Sequence, residues 1–396
     1  MLSRYDDFPV HQTARPVHEV SQSAAGFSDG YFFSVYSAEE AAYLFLTLRV
    51  HPNLDLVGAA TGLGLDGHQR TVRLSRRWRP DCETTIGPLT VEFVEPMQRI
   101  RLRLDDPGAG LGFDVEWQAA AEPYEEAHHH QVQDGRLLHD QHRYCQAGRA
   151  SGSITIDGRT LAVEPATWGA SRDHSWGLYY EAAPIAPRRD LLPPPTSPVG
   201  TPRALRLWTF VTTPSHAGFI ARHEDADGLA PTAGGHLTTP VDGALDGVEL
   251  TDVGHELRLS AGDKLLEGGT VTAVDADGGE WRLDFDIAAP PWLLWPLGGW
   301  IGGWRDGGTW QTWHGEGVSV EWDDFDVSHQ PMDHQGGEGL PLVRRTRGIE
   351  HVAGGALTAP DGTTEPAVAH VEFWVDGVHH RYGFDDPTYR ALGEGM

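Results

Sequence analysis

Ser153-Ile154-Thr155-Ile156-Asp157-Gly158-Arg159-Thr160-Leu161-Ala162-Val163 reads as two strands joined by a tight turn. Apolar and polar side chains alternate on either side of Asp157-Gly158, the period of a half-buried strand. Asp-Gly suits the centre of a two-residue hairpin, because both central positions of the type I′ turn need positive φ. Eleven Asp-Gly dipeptides occur in the chain, so this pattern sets its punctuation. One more, Asp376-Gly377, separates Val371-Glu372-Phe373-Trp374-Val375 from a second run, Val378 to Phe384. The runs Ile100–Leu104 and Trp281–Ile287 alternate in the same way. Ser37-Ala38-Glu39-Glu40 imitates a helix cap, yet the aromatic Tyr43–Val50 that follows is short enough to be a strand after a brief turn. The fold class expected is all-β.

A chain of 396 residues exceeds what one core usually serves, so two domains are expected. Seven prolines between Pro184 and Pro202 exclude a central strand there and mark a connection. The division expected is an N-terminal unit over 1–185, a Pro-rich linker over 186–202 and a C-terminal unit over 203–396, each the size of a closed antiparallel barrel. Such a barrel can enclose one small ligand.

Thirty basic against fifty-seven acidic residues give a net charge of −27. Phosphate recognition needs clustered Lys and Arg, so nucleic-acid partners are excluded. No apolar run reaches the length of a membrane-spanning helix. The start, Met1-Leu2-Ser3-Arg4-Tyr5-Asp6-Asp7, has no apolar stretch behind its basic residue, and cytoplasmic residence is expected. Cys82 and Cys145 form no CxxC pair and read as buried free thiols.

Reactive types concentrate in Arg172-Asp173-His174-Ser175-Trp176-Gly177, with Tyr179 and Tyr180 beyond. On an extended backbone Arg172, His174 and Trp176 share one face, with Asp173 and Ser175 on the other. A histidine between a cation and an indole in an apolar cavity is suited to general acid or base work, and the indole face can stabilise positive charge. Seven of the fourteen Trp lie between Trp292 and Trp322, a density that fits a ligand cavity or a packed interior. If Trp310–Glu316 is a strand, Trp310, Thr312, His314 and Glu316 share a face, making His314 and Glu316 a second acid/base pair, with Trp313 beside them. His128-His129-His130, with His139 and His142, invites a metal reading. Consecutive residues of a strand point to opposite faces, so two of the three at most could hold one ion, and a solvated loop is the expectation. No GxGxxG opens a helix, no phosphate-binding loop is present, and no GxSxG elbow surrounds Ser175; no cofactor is expected.

The stretch from Arg143-Tyr144-Cys145-Gln146-Ala147-Gly148 through the Asp157-Gly158 hairpin to Arg172–Gly177 resembles the AttH and hydroxyneurosporene-synthase-like superfamily, which includes the carotenoid hydratases. Gly87–Met97 upstream, and His314-Gly315-Glu316-Gly317 with Trp322 downstream, are similar to further patterns of that superfamily. The resemblance implies two lipocalin-like domains in tandem and cofactor-free hydration or cyclisation of isoprenoid double bonds. It assigns protonation to His174 and cation stabilisation to Trp176. The chain departs from it at Leu205–Thr212, which carries no acidic residue.

The combined expectation is a cofactor-independent acid/base enzyme of hydratase, cyclase or isomerase type. His174 is its acid/base, assisted by Asp173 or Glu316 and tuned by Arg172. Trp176, Tyr179, Trp310, Trp313 and His314 hold an apolar, terpenoid-like substrate. Two rivals are a carrier of a hydrophobic molecule and a metal enzyme built on the His128–His142 cluster.

Overall fold

The computed structural model describes residues 13–79, 82–133, 136–178, 204–241, 244–260, 265–295, 297–298, 304–328, 334–335, 342–343, 347–375 and 378–385, with positions 9 and 11. Tyr179 and the Pro-rich segment 186–202 lie outside these residues.

The chain is all-β, with 65% strand among the described residues. The C-terminal part closes into an eight-stranded antiparallel barrel of lipocalin-like, up-and-down type. Its strands, Leu205–Thr212, Ala217–Glu224, Thr232–Val241, Ala244–Leu259, Leu266–Asp275, Glu280–Ile287, Arg347–Thr358 and Thr364–Val375, pair in that order. Closure comes from pairing of the last with the first. Leu205, Leu207, Val211, Leu283, Phe285, Val371 and Phe373 build its core.

The N-terminal part is a larger sheet that curls without closing. Its central order is His68–Arg77, Leu56–Leu65, Ala42–His51, Phe27–Ser37, Gly169–Leu178, Arg136–Ile156, Leu111–Ala119, Arg99–Asp106 and Leu89–Glu95. Ser319–Asp326, from far along the chain, adds to its outer edge beside His68–Arg77. Opposite charges support that pairing: Arg70 meets Asp324 at 2.8 Å, and Arg73 meets Glu321 at 3.1 Å and also Asp323.

The central strands of this sheet, such as Ala42–His51 and Leu56–Leu65, bury both faces, whereas Leu89–Glu95, Arg99–Asp106 and Leu111–Ala119 bury only one. The sheet's concave face carries Phe33, Leu46, Leu48, Val72, Leu102, Val115, Trp117 and Trp168. Its other face contributes Phe32, Tyr43, Phe45, Cys145 and Ala147 to a layer shared with Trp208, Phe210, Phe219 and Val352 of the barrel. Full burial of one such side chain stabilises by roughly 1.5–3 kcal/mol, so this layer is what unites the two parts.

The hairpin over 153–163 forms as read, Ile154 facing Leu161 across Asp157-Gly158. The cap-like Ser37 works in a turn, its Oγ accepting the Glu40 amide at 3.2 Å ahead of the Ala42–His51 strand. Three readings change. Val378–Phe384 is no strand: His380–Tyr382 makes a 3-10 turn, pinned where His379 meets Glu224 at 2.9 Å. Residues 310–316 form a turn and loop rather than a strand, because the Thr312 hydroxyl accepts from the Thr309 amide at 2.8 Å and the Thr309 hydroxyl accepts from the Gln311 amide at 3.1 Å. Only Cys145 is a buried thiol, for Cys82 is exposed.

Candidate active site

Gly169–Leu178 lies between Phe27–Ser37 and Arg136–Ile156, and register sets its neighbours. His174 faces Tyr31 on one side and Tyr144 on the other; Trp176 faces Asp29 and His142. Gly177 must lack a side chain, since its φ is +122° and a Cβ would stand 2.1 Å from the Asp140 carbonyl oxygen. That close approach brings Arg136–Ile156 tight against the motif strand.

The alternation expected from the sequence holds. Arg172, His174 and Trp176 form a file along the concave face, from buried through half-buried to exposed. The file therefore climbs from the core to the open rim of the curled sheet. At its base the Arg172 guanidinium lies 5.0 Å from the Trp117 ring centre and 5.1 Å from that of Tyr144. Its Nε donates to Gln146 Oε1 at 3.0 Å. Burial holds the Arg172 pKa below its ordinary value.

His174 is bracketed by two polar partners. Nε2 lies 2.7 Å from Asp29 Oδ1, and Nδ1 lies 3.3 Å from the Tyr144 hydroxyl. A carboxylate at Nε2 selects the tautomer with its proton there, leaving Nδ1 to accept from the phenol. The Tyr31 ring lies against the imidazole at 4.3 Å, with Phe93 beyond it at 5.0 Å, and Trp176 flanks it at 5.2 Å. Burial pushes the Tyr144 phenol up, against the pull of Arg172, and so keeps it protonated. Tyr31 is pushed up more strongly, by burial and by Asp29.

The other sequence-expected residues lie elsewhere. Asp173 points away from His174 into the layer between sheet and barrel, where Arg143 stands 3.9 Å off; burial raises its carboxyl. Glu316 has an 80% exposed side chain paired with Arg77 at 3.4 Å, and four strands separate the edge strand that follows it from Gly169–Leu178. His314 stacks on Trp304 at 3.9 Å and meets Ser75 at 3.4 Å. Trp310 is buried against Arg49, which donates to Ser175 Oγ at 2.7 Å, so it backs the motif strand from the face opposite His174. Trp313 is exposed. Thus Arg172, His174 and Trp176 come together, whereas Asp173, Glu316, Trp310, Trp313 and His314 do not join them. Asp29, Tyr31 and Tyr144 complete the site and were missed as site residues.

Buried polar groups also fill the sheet–barrel layer. His370 Nε2 lies 2.6 Å from Glu350 and 3.2 Å from the Tyr43 hydroxyl; Nδ1 lies 3.0 Å from Ser171. Burial drives the His370 pKa down to about 3 and pushes the Glu350 carboxyl well up. Complete burial marks this group as part of the packing.

Among solved structures, the chain is similar to kievitone hydratase from Nectria haematococca, with 9% identity over 91% of this chain and 92% of that one and a TM-score of 0.40. Crystal structures of CghA with Sch210972 and of CghA alone each share 9% identity over 89% of this chain and 90% of theirs, with TM-scores of 0.44 and 0.41. No curated protein matches the chain. A family model matches residues 2–336, and the chain belongs to that family, a family of unknown function, DUF8625.

Proposed function

We propose that this protein is a cofactor-independent acid/base enzyme of hydratase, cyclase or isomerase type, acting on an apolar, terpenoid-like small molecule. The observation that carries the reading is the Asp29–His174–Tyr144 relay at the aromatic rim of the curled sheet. Tyr144 is the group that exchanges a proton with the substrate. As its O–H proton leaves for a substrate carbon, His174, which in this step carries a second proton on Nδ1 taken from solvent, passes that proton to the phenol oxygen, and Asp29 balances the charge at Nε2. The half-buried imidazole then regains its proton from solvent. Run backwards, the same path removes a proton from the substrate.

Arg172 supports a partial negative charge on the Tyr144 oxygen from within the core. Tyr31, Phe93 and Trp176 give an apolar substrate its contact surface and face any developing cation with ring electrons. A pure carrier would have no need of a histidine linked on both sides to ionisable groups.

The test is untargeted mass spectrometry of apolar molecules that co-purify with the wild type and with His174→Ala. The reading expects a molecule that accumulates only in the variant or appears in altered form in the wild type. The same unmodified molecule from both would sink the enzyme assignment and favour the carrier.

A further inference from the structure

The histidine cluster, expected from the sequence to be a solvated loop, converges more closely than that expectation requires. Strand His129–Gln133 folds back on Arg136–Ile156, and its register sets His130 directly opposite Asp140. His128 Nε2 lies 2.7 Å from Asp140 Oδ1, and His130 Nδ1 lies 3.1 Å from the same oxygen. All three donor atoms fall within 4.8 Å of one another. His129 turns the other way, to Glu126 at 3.5 Å, as strand alternation demands.

From this geometry we propose that His128, His130 and Asp140 form a site for one divalent transition-metal ion of the zinc class. Two imidazole nitrogens and one carboxylate oxygen are the donors such ions prefer. A tetrahedral ion with arms of about 2.1 Å sets its donors roughly 3.4 Å apart, so the two histidine–Asp140 contacts need to open only slightly. Support behind the donors is already in place. The His142 ring stacks on His128 at 4.1 Å and 9°, fixing its plane, and Asp140 is held against the motif strand by Gly177. Exposure of both histidines leaves an entry path and room for water or a ligand oxygen as the remaining donors. On its far side His142 stacks on Trp176 at 5.9 Å, so a bound ion stands one ring away from the rim of the candidate active site.

The experiment is a Zn²⁺ titration of tag-free, chelator-treated full-length protein in competition with a chromophoric chelator. One ion per chain is expected. His130→Ala and Asp140→Asn should each weaken binding at least about tenfold, with thermal unfolding midpoints matching the wild type in the absence of metal. His129→Ala, on the same hairpin but facing Glu126, should bind as the wild type does. Absence of stoichiometric uptake by the wild type, or equal affinity in His130→Ala and Asp140→Asn, would overturn the assignment.

Discussion

His174 Nε2 and Asp29 Oδ1 stand 2.7 Å apart although 145 residues separate them in the chain. The contact exists because Phe27–Ser37 and Gly169–Leu178 run side by side. In the proposed chemistry Asp29 fixes the imidazole tautomer and Tyr144 handles the substrate proton. Asp29→Asn should therefore slow turnover roughly 10²-fold or more, and Tyr144→Phe at least as much. Glu316→Gln, at an exposed pair with Arg77, should leave it within about twofold. Initial rates on the substrate identified from the His174→Ala variant check all three.

Arg172 stabilises the fold as well as tuning the site, since its guanidinium is sandwiched between Trp117 and Tyr144 and donates to Gln146. Arg172→Leu should cost about 2–4 kcal/mol, from lost stacking and an unsatisfied Gln146 oxygen. Arg172→Lys should recover less than half of that, because an ammonium is not planar. Urea unfolding of the three proteins measures both.

His51 is buried against Trp310 at 5.2 Å, and burial, with Arg49 nearby, drives its pKa down to about 3. The unfolded chain takes up a proton at this imidazole below pH 6.5, whereas the folded chain does not until near pH 3. The wild type thus loses about 1.4 kcal/mol per pH unit from this group between those values. In His51→Phe the loss disappears. The stability gap between variant and wild type should then move in the variant's favour by that slope from pH 6 to pH 4, as read by urea unfolding at each pH.

The two cysteines should react very differently. Cys145 is fully buried, its Sγ donating to Glu126 at 2.9 Å, and burial pushes its thiol well up. Cys82 is exposed. A thiol reagent should titrate one group in the native protein and two after denaturation. Two fast-reacting thiols under native conditions would contradict the described layer between sheet and barrel.

Much of the fold was legible because strand signals are local. The 153–163 hairpin carries its own alternation and turn, and so does the file of Arg172, His174 and Trp176. What failed was non-local or hidden by another signal. Asp29-Gly30 looks like a turn dipeptide, yet both residues sit inside a strand, where Gly30 admits Leu48: a Cβ there would lie 2.7 Å from its carbonyl oxygen. The partner of His174 was thus concealed as punctuation. Tyr144 stood in the stretch that carries the family resemblance, but only the register of Arg136–Ile156 puts its hydroxyl on Nδ1. Trp310 and His314 were given strand periodicity that hydroxyl-capped turns abolish, and so the second acid/base pair did not form beside the first.

Proton transfer to carbon leaves an isotopic record, which makes solvent exchange the most direct test of the Asp29–His174–Tyr144 relay. Apolar extract from the source cells would be incubated in D₂O with the wild type and with Tyr144→Phe, returned to H₂O to strip exchangeable positions, and analysed by mass spectrometry. The relay predicts at least one compound that retains carbon-bound deuterium with the wild type and lacks it with the variant. No protein-dependent deuterium, or equal incorporation by both proteins, would contradict it.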